Sequence, residues 1–298
     1  MGVLFGIQKL LERFEADPSL VEPDRFRERI EALDQLDACD LDSQILLADS
    51  ESDKSALYRR AMGLRTKFES ANLRFYEGVR DAIHRGAGRD ALFRSADQLR
   101  YETPLHGYPN ALGAAESYDY LDELVSGVFR FEVTDEPKVN LSAEMVAYQP
   151  TPARHIFDLI RHIQLTAQDV FVDLGSGLGH LALLIAICTD ARCIGVELEP
   201  SYVACSAKIA RELNLTKATF LALDAREADL SGGTVFYLYT PFRGAILRAV
   251  LDRLRLESVT REIRVCTFGP CTPIVAAESW LSFDPAESSH MPMFRSRR

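Results

Sequence analysis

Val170-Phe171-Val172-Asp173-Leu174-Gly175-Ser176-Gly177-Leu178-Gly179-His180-Leu181 is the stretch whose reading decides the fold. Val170, Phe171 and Val172 form a β-branched and aromatic run suited to a buried central strand, and Asp173 follows at its carboxyl end. Gly175, Gly177 and Gly179 let the backbone turn tightly and leave room for a ligand against it. From Gly179 the pattern HLALLIAI continues as an apolar helix. The free N–H groups at such a helix start favour a polar or anionic ligand group. A strand-to-helix turn with glycines for backbone reasons alone would read the same way, so the surroundings must separate the two.

The spacing G-x-G-x-G differs from the dinucleotide fingerprint G-x-G-x-x-G, which seats a pyrophosphate. The acidic residue two positions before the first glycine would repel a pyrophosphate and suits a ligand carrying an ammonium group. Outward from the loop, strand and helix patterns alternate from about residue 141, implying a parallel sheet covered on both faces. Strands are expected at 169–174, 192–197, 218–223, 234–239 and 263–268, and a further one around 280–283. Helices are expected at 179–189, 200–213 and 244–256, and from Thr151-Pro152, with Thr151 as N-cap and Pro152 in the first turn. In a doubly wound sheet the carboxyl ends of adjacent strands meet at one crevice. Glu197 ends the second strand there and can accept both hydroxyls of a ribose. Asp224 ends the third, where a turn-initiating Asp is the other reading.

These residues resemble the class I S-adenosylmethionine-dependent methyltransferases, whose first motif is D/E-x-G-x-G-x-G. The resemblance implies a doubly wound, Rossmann-like α/β sheet that binds S-adenosyl-L-methionine. Asp173, Gly175, Ser176, Gly177 and Gly179 would wrap its methionine end, Glu197 its ribose, and Asp224 with Ala225 its adenine. Tyr148-Gln-Pro-Thr-Pro152 resembles the segment that lies across the methionine part in amino-directed members. Tyr148 and Thr151 would serve there, a simple helix cap being the other reading of Thr151. The run from Tyr148 through Asp224 also resembles the catalytic core of the non-SET histone-lysine methyltransferases, over about a quarter of the chain.

Acceptor recognition is expected at the fourth strand's end. Family members that methylate amine nitrogens often carry N/D-P-P-Y/F there, and this chain has Tyr239-Thr240-Pro241-Phe242. That departure speaks against nucleic-acid bases as acceptors, and a basic nucleosome-binding segment is not visible. Tyr239, Thr240, Pro241 and Phe242 remain the candidate catalytic residues, for an amine nitrogen on a small molecule or protein side chain. Two rivals are a non-catalytic nucleoside-binding regulatory protein and an NAD-dependent oxidoreductase.

Residues 1–135 read as a mostly α-helical domain, expected to cap the methyltransferase domain at 141–298 and select the acceptor. Ile7, Leu10, Leu11 and Phe14 recur at helical spacing, and Pro23 stands where a helix with Phe26, Ile30 and Leu33 inward would begin. A longer pattern runs over 52–83 and a further helix over 117–129. The intervening loop, 101–118, carries three tyrosines and His106, and reads equally as a lid or a packed connector.

Lys and Arg number 34 against 44 Asp and Glu, a net charge of −10 that argues against general polyanion binding. The basic tail Arg295, Arg297, Arg298 reads as a solvated, frayed end. Six cysteines (Cys39, Cys188, Cys193, Cys205, Cys266, Cys271) lack CxxC pairing, so buried free thiols, no metal and a cytoplasmic setting are expected. The longest apolar run, Leu181 to Ile187, is too short to span a membrane. A homo-oligomer is left open.

Overall fold

The computed structural model of the chain describes residues 2–38, 51–100, 118–133, 138–283 and 291–297. The chain divides into two compact units: Met1–Asp81 with Asp97–Glu102, and Ala82–Ala96 with Thr103–Arg298. The first holds α1 (Gly2–Glu15), α2 (Phe26–Ala38) and most of α3 (Glu51–His84). The helical stripe Ile7, Leu11 and Phe14 meets Leu36, Leu64 and Phe68 in one core, with the Phe14 and Phe68 rings edge to face at 5.8 Å. Pro23 opens a short 3-10 turn, Pro23–Arg25, and α2 itself starts at Phe26. Arg29 is wholly buried, and donates to Asn72 Oδ1 at 2.7 Å and to the Leu20 carbonyl at 3.0 Å.

In the second unit most of α4 (Gly88–Arg100), with α5 (Tyr120–Phe129) and α6 (Ala153–His162), precedes the sheet. Then follow β1 (Val170–Leu174), α7 (His180–Cys188), β2 (Arg192–Glu197), α8 (Pro200–Glu212), β3 (Ala218–Ala222) and β4 (Val235–Leu238). The order closes with α9 (Gly244–Thr260), β5 (Arg264–Thr267), α10 (Thr272–Ala276), β6 (Leu281–Phe283) and β7 (Met293–Ser296). The sheet has seven strands in the order β3-β2-β1-β4-β5-β7-β6. Strands β1 to β5 are parallel, and β7 runs antiparallel between β5 and β6.

The expected strands lie within a residue or two of those found. Val172, Leu174, Phe236 and Leu238 pack with Leu247, Val250, Leu251 and Leu254 of α9 in one core. Each such side chain, fully buried, contributes about 1.5–3 kcal/mol. The polypeptide leaves β1 toward β2 and β3, then returns to build β4 and β5 on the other side. The crevice therefore opens where β1 meets β4, at the carboxyl ends of the strands.

Two expectations are corrected. The tail reading as a frayed end is wrong for its first part: Arg295 lies inside β7, paired with Arg264 of β5, and only the sheet supplies that partner. Thr151 is also not the N-cap of α6. Pro152 holds that position without a side-chain bond, and the Asp122 carboxylate accepts from the Ala153 N–H at 2.7 Å instead. Asp122 belongs to the capping box of α5, so one carboxylate serves the starts of two helices. Burial and the nearby Asp119 push it up to about 7. The loop 101–117 and Cys39 lie outside the described residues, and the other five cysteines are buried free thiols. Among the described residues no helix is long and apolar enough to cross a membrane, and no group of three or more His, Cys, Asp or Glu could hold a metal ion.

Candidate active site

At the end of β1 the chain must reverse into α7 within a few residues, and the three glycines make this possible. Gly175, Gly177 and Gly179 have φ of +85°, +52° and +78°, where a side chain is strained. Close approach adds a second reason. A Cβ on Gly175 would stand 2.2 Å from Pro241, one on Gly177 2.1 Å from the Tyr148 ring, and one on Gly179 2.6 Å from Phe220. The Gly175 and Ser176 amides donate to the Val196 carbonyl at 2.8 and 3.0 Å, which ties the loop to β2.

The acidic strand ends converge here. Asp173 pairs in register with Gly195 on one side and Tyr237 on the other, and is buried. Burial and the neighbouring Glu197 carboxylate push it up to about 8. Glu197 accepts from the Gly177 amide at 2.8 Å with one oxygen, and from Leu198 and Glu199 at 2.7 and 2.9 Å with the other. Asp224 is gripped by Arg226, whose Nε and Nη2 donate to its two oxygens at 3.0 and 2.7 Å. That pairing holds the Asp224 carboxyl below its usual range.

A strap over residues 138–148 runs along the same cavity. It is fastened first by Glu199, which accepts from the Lys138 and Val139 amides and from Ser201 Oγ at 2.7, 2.9 and 2.7 Å. Burial alone would raise Glu199, but these bonds outweigh it and bring it to about 2. Further along, Glu144 accepts from Ala245 and Ile246 at 3.0 and 3.1 Å, capping α9 from a hundred residues away. Met145 bridges Phe242, and the Val146 amide donates to the Pro241 carbonyl at 3.1 Å. Tyr148 then lies across Gly177, and Thr151 shares a 2.9 Å hydrogen bond with the Tyr237 hydroxyl.

Opposite stand Tyr239 to Phe242. Thr240 has φ of +41°, an uncommon conformation for a β-branched residue. Its hydroxyl donates to the Phe268 carbonyl at 3.2 Å and accepts from the Cys271 amide at 3.1 Å, so it brackets the ends of β4 and β5.

One cavity of about 650 Å³ gathers these groups. Tyr148, Thr151, Asp173, Gly175, Ser176, Glu197, Asp224, Ala225, Tyr239, Thr240, Pro241 and Phe242 all line it. Gly177 and Gly179 do not line it; they admit the rings of Tyr148 and Phe220. The sequence reading missed His180, Glu199, Tyr202 and the strap's Leu141, Met145 and Val146, which also line the cavity. His180 directly follows the glycine loop and could have been singled out. Residues 138–140 of the strap fell between the two assigned regions, and 141–147 carry no motif of their own.

The donor set fits S-adenosyl-L-methionine. Ser176 Oγ is buried without a hydrogen-bond partner at the cavity wall, and Asp173 is a buried carboxylate suited to a cation. This strand order, with an acidic glycine loop at the switch point, defines a class I S-adenosylmethionine-dependent methyltransferase fold. Within that class, residues 142–233 match the family model for histone methylation protein DOT1. The match ends just before β4, so it covers the β1 to β3 side of the crevice and not the Tyr239 to Phe242 side. Among solved structures, a Salinibacter ruber RNA methyltransferase in complex with S-adenosyl-L-homocysteine is 25% identical, over 50% of this chain and 92% of that one, with a TM-score of 0.36. A Pyrococcus abyssi tRNA (uracil-54, C5)-methyltransferase is 17% identical over 50% and 39%, with a TM-score of 0.39. A Geobacter metallireducens precorrin-6y C5,15-methyltransferase is 14% identical over 51% and 90%, with a TM-score of 0.38.

Proposed function

We propose that this protein transfers a methyl group from S-adenosylmethionine to an amine nitrogen, on a small molecule or a protein side chain. The observation that carries the reading is the convergence of Asp173, Glu197 and Asp224 with the glycine loop on one cavity. Asp173 would hold the cofactor's ammonium group, Glu197 its ribose hydroxyls, Asp224 and Ala225 its adenine, and Ser176, Tyr148 and Thr151 its methionine end. The cofactor, when bound, supplies a methyl carbon made electrophilic by its sulfonium. The chain's own part is then to align the acceptor in line with that carbon and to keep water out. Tyr239, Pro241 and Phe242 would orient the acceptor, while the Thr240 hydroxyl, already bonded on both sides, would hold those residues in shape.

The walls at this end favour an acceptor nitrogen that enters uncharged. Pro241 and Phe242, Pro270 and Ile274 after β5, and Leu141 and Val146 of the strap are apolar, whereas the carboxylates lining the cavity stand at the ends of β1, β2 and β3 or just beyond them. An ammonium would be desolvated there beside the sulfonium, so a small-molecule amine and a side-chain amine alike would enter as the neutral base, their proton left to water. The helical region 1–135 would supply acceptor selectivity. Truncation to test this should keep Asp122 and Lys138, because they bind Ala153 and Glu199. Calorimetry should show S-adenosylhomocysteine binding and no comparable heat with NAD; the reverse preference would refute the reading.

A further inference from the structure

We propose that His180 is a positioning residue: its neutral imidazole holds the Tyr148 hydroxyl and so locks the strap against the glycine loop. This rests on the reading of the cavity as an S-adenosylmethionine site.

The Tyr148 oxygen lies 3.1 Å from His180 Nδ1. In this pairing the phenol gives its one proton to Nδ1. Nδ1 is then the unprotonated nitrogen, and the imidazole carries its proton on Nε2. The phenol ring is pressed on Gly177 at a distance no Cβ would allow, and stands 5.2 Å from the Tyr202 ring of α8.

His180 is itself held in place. It is the first residue of α7, and Phe131 stacks on its face at 4.0 Å with the planes 30° apart. Burial lowers its basicity to about 3, so the neutral form is kept through the ordinary range. The titratable groups facing the phenol are Tyr118, Tyr202 and Cys205, uncharged at neutral pH, and the nearest carboxylates are Glu197, bonded to the Gly177 amide, and Glu199, beside Tyr202. A protonated imidazole would present N–H at Nδ1 and displace the phenol's proton. Neutrality at this position is therefore what keeps Tyr148 a donor to His180. The strap's other fastenings are its Lys138 and Val139 amides on Glu199, Glu144 on the start of α9, and the Val146 amide on the Pro241 carbonyl. The Tyr148–His180 pair fastens the end of the strap to the start of α7, directly after the glycine loop.

The test uses the full chain and S-adenosylhomocysteine as probe, with thermal unfolding as a check that each variant is folded. Tyr148→Phe and His180→Phe should each weaken binding about 3- to 10-fold, the loss expected for one neutral hydrogen bond. The double variant should bind no worse than either single one, because both remove the same bond. His180→Gln, which keeps an acceptor, should restore affinity to within about twofold of wild type. Imidazole ¹⁵N NMR on the unliganded protein should report the Nε2–H tautomer, with no titration of His180 between about pH 5 and 8, unlike an ordinary histidine. Additive losses in the double variant, a His180 that titrates near neutrality, or an Nδ1–H tautomer would overturn the proposal alone. A wild-type chain that does not bind the probe would overturn the methyltransferase reading and this role together, while the NMR result would still decide the bond itself.

Discussion

Cofactor binding is expected to expel a proton from Asp173. In the described structure this carboxyl is buried between β2 and β4, and burial with the Glu197 charge raises it from 3.8 to about 8. At pH 7 roughly nine in ten molecules then carry a neutral Asp173. An ammonium group arriving beside it favours the carboxylate, so binding and proton release are linked. Apparent affinity for S-adenosylhomocysteine should fall about tenfold per pH unit below 8, roughly 50-fold between pH 8 and pH 6. Titration calorimetry in two buffers of different ionisation enthalpy measures the release directly, with close to one proton expected at pH 7.

The sign for stability is opposite to that for binding. A carboxyl raised in the folded state contributes stability below its unfolded value, and loses it as pH rises through about 8. Asp173→Asn should therefore melt higher than wild type at pH 8 without cofactor. It should also bind the cofactor more weakly by about 1.5–3 kcal/mol, as for a lost charged hydrogen bond. No proton release with a flat pH profile, or a variant that loses stability and keeps affinity, would refute the reasoning.

Three further outcomes follow from the same site. Glu197→Gln should weaken cofactor binding and lower the melting temperature less than Glu197→Ala, since its one oxygen still accepts on one side while its NH2 faces a backbone N–H on the other. Glu197→Ala should lower both, since three backbone amides lose their acceptor; calorimetry and thermal unfolding together separate the two effects. Glu144→Ala removes the cap of α9 and should cost about 0.5–2 kcal/mol in denaturant unfolding, whereas an unchanged midpoint would mean that water replaces the carboxylate. Thr240→Ala keeps the positive φ but strands the Cys271 amide and Phe268 carbonyl. It should destabilise by about 1–3 kcal/mol, and equal stability would show that the bracket is dispensable.

The parallel sheet and its cofactor end were legible in the sequence because their signals are local. Val170-Phe171-Val172 reads as a strand from side-chain shape, Gly175, Gly177 and Gly179 from backbone freedom, and Glu197 and Asp224 from their place at strand ends. Other features needed partners far away in the chain. Arg295 sits in a strand only because β5 and β6 flank its segment. Thr151 turns from a helix start to Tyr237 because Asp122, on another helix, already caps that start. Glu144 caps a helix a hundred residues on, and nothing in its neighbours announces this. His180 reads as one more residue of an apolar helix until Tyr148 and Phe131 are set against it. Propensity and spacing report what a residue does to its own few neighbours; hydrogen bonds and burial across the fold decide what its side chain is for.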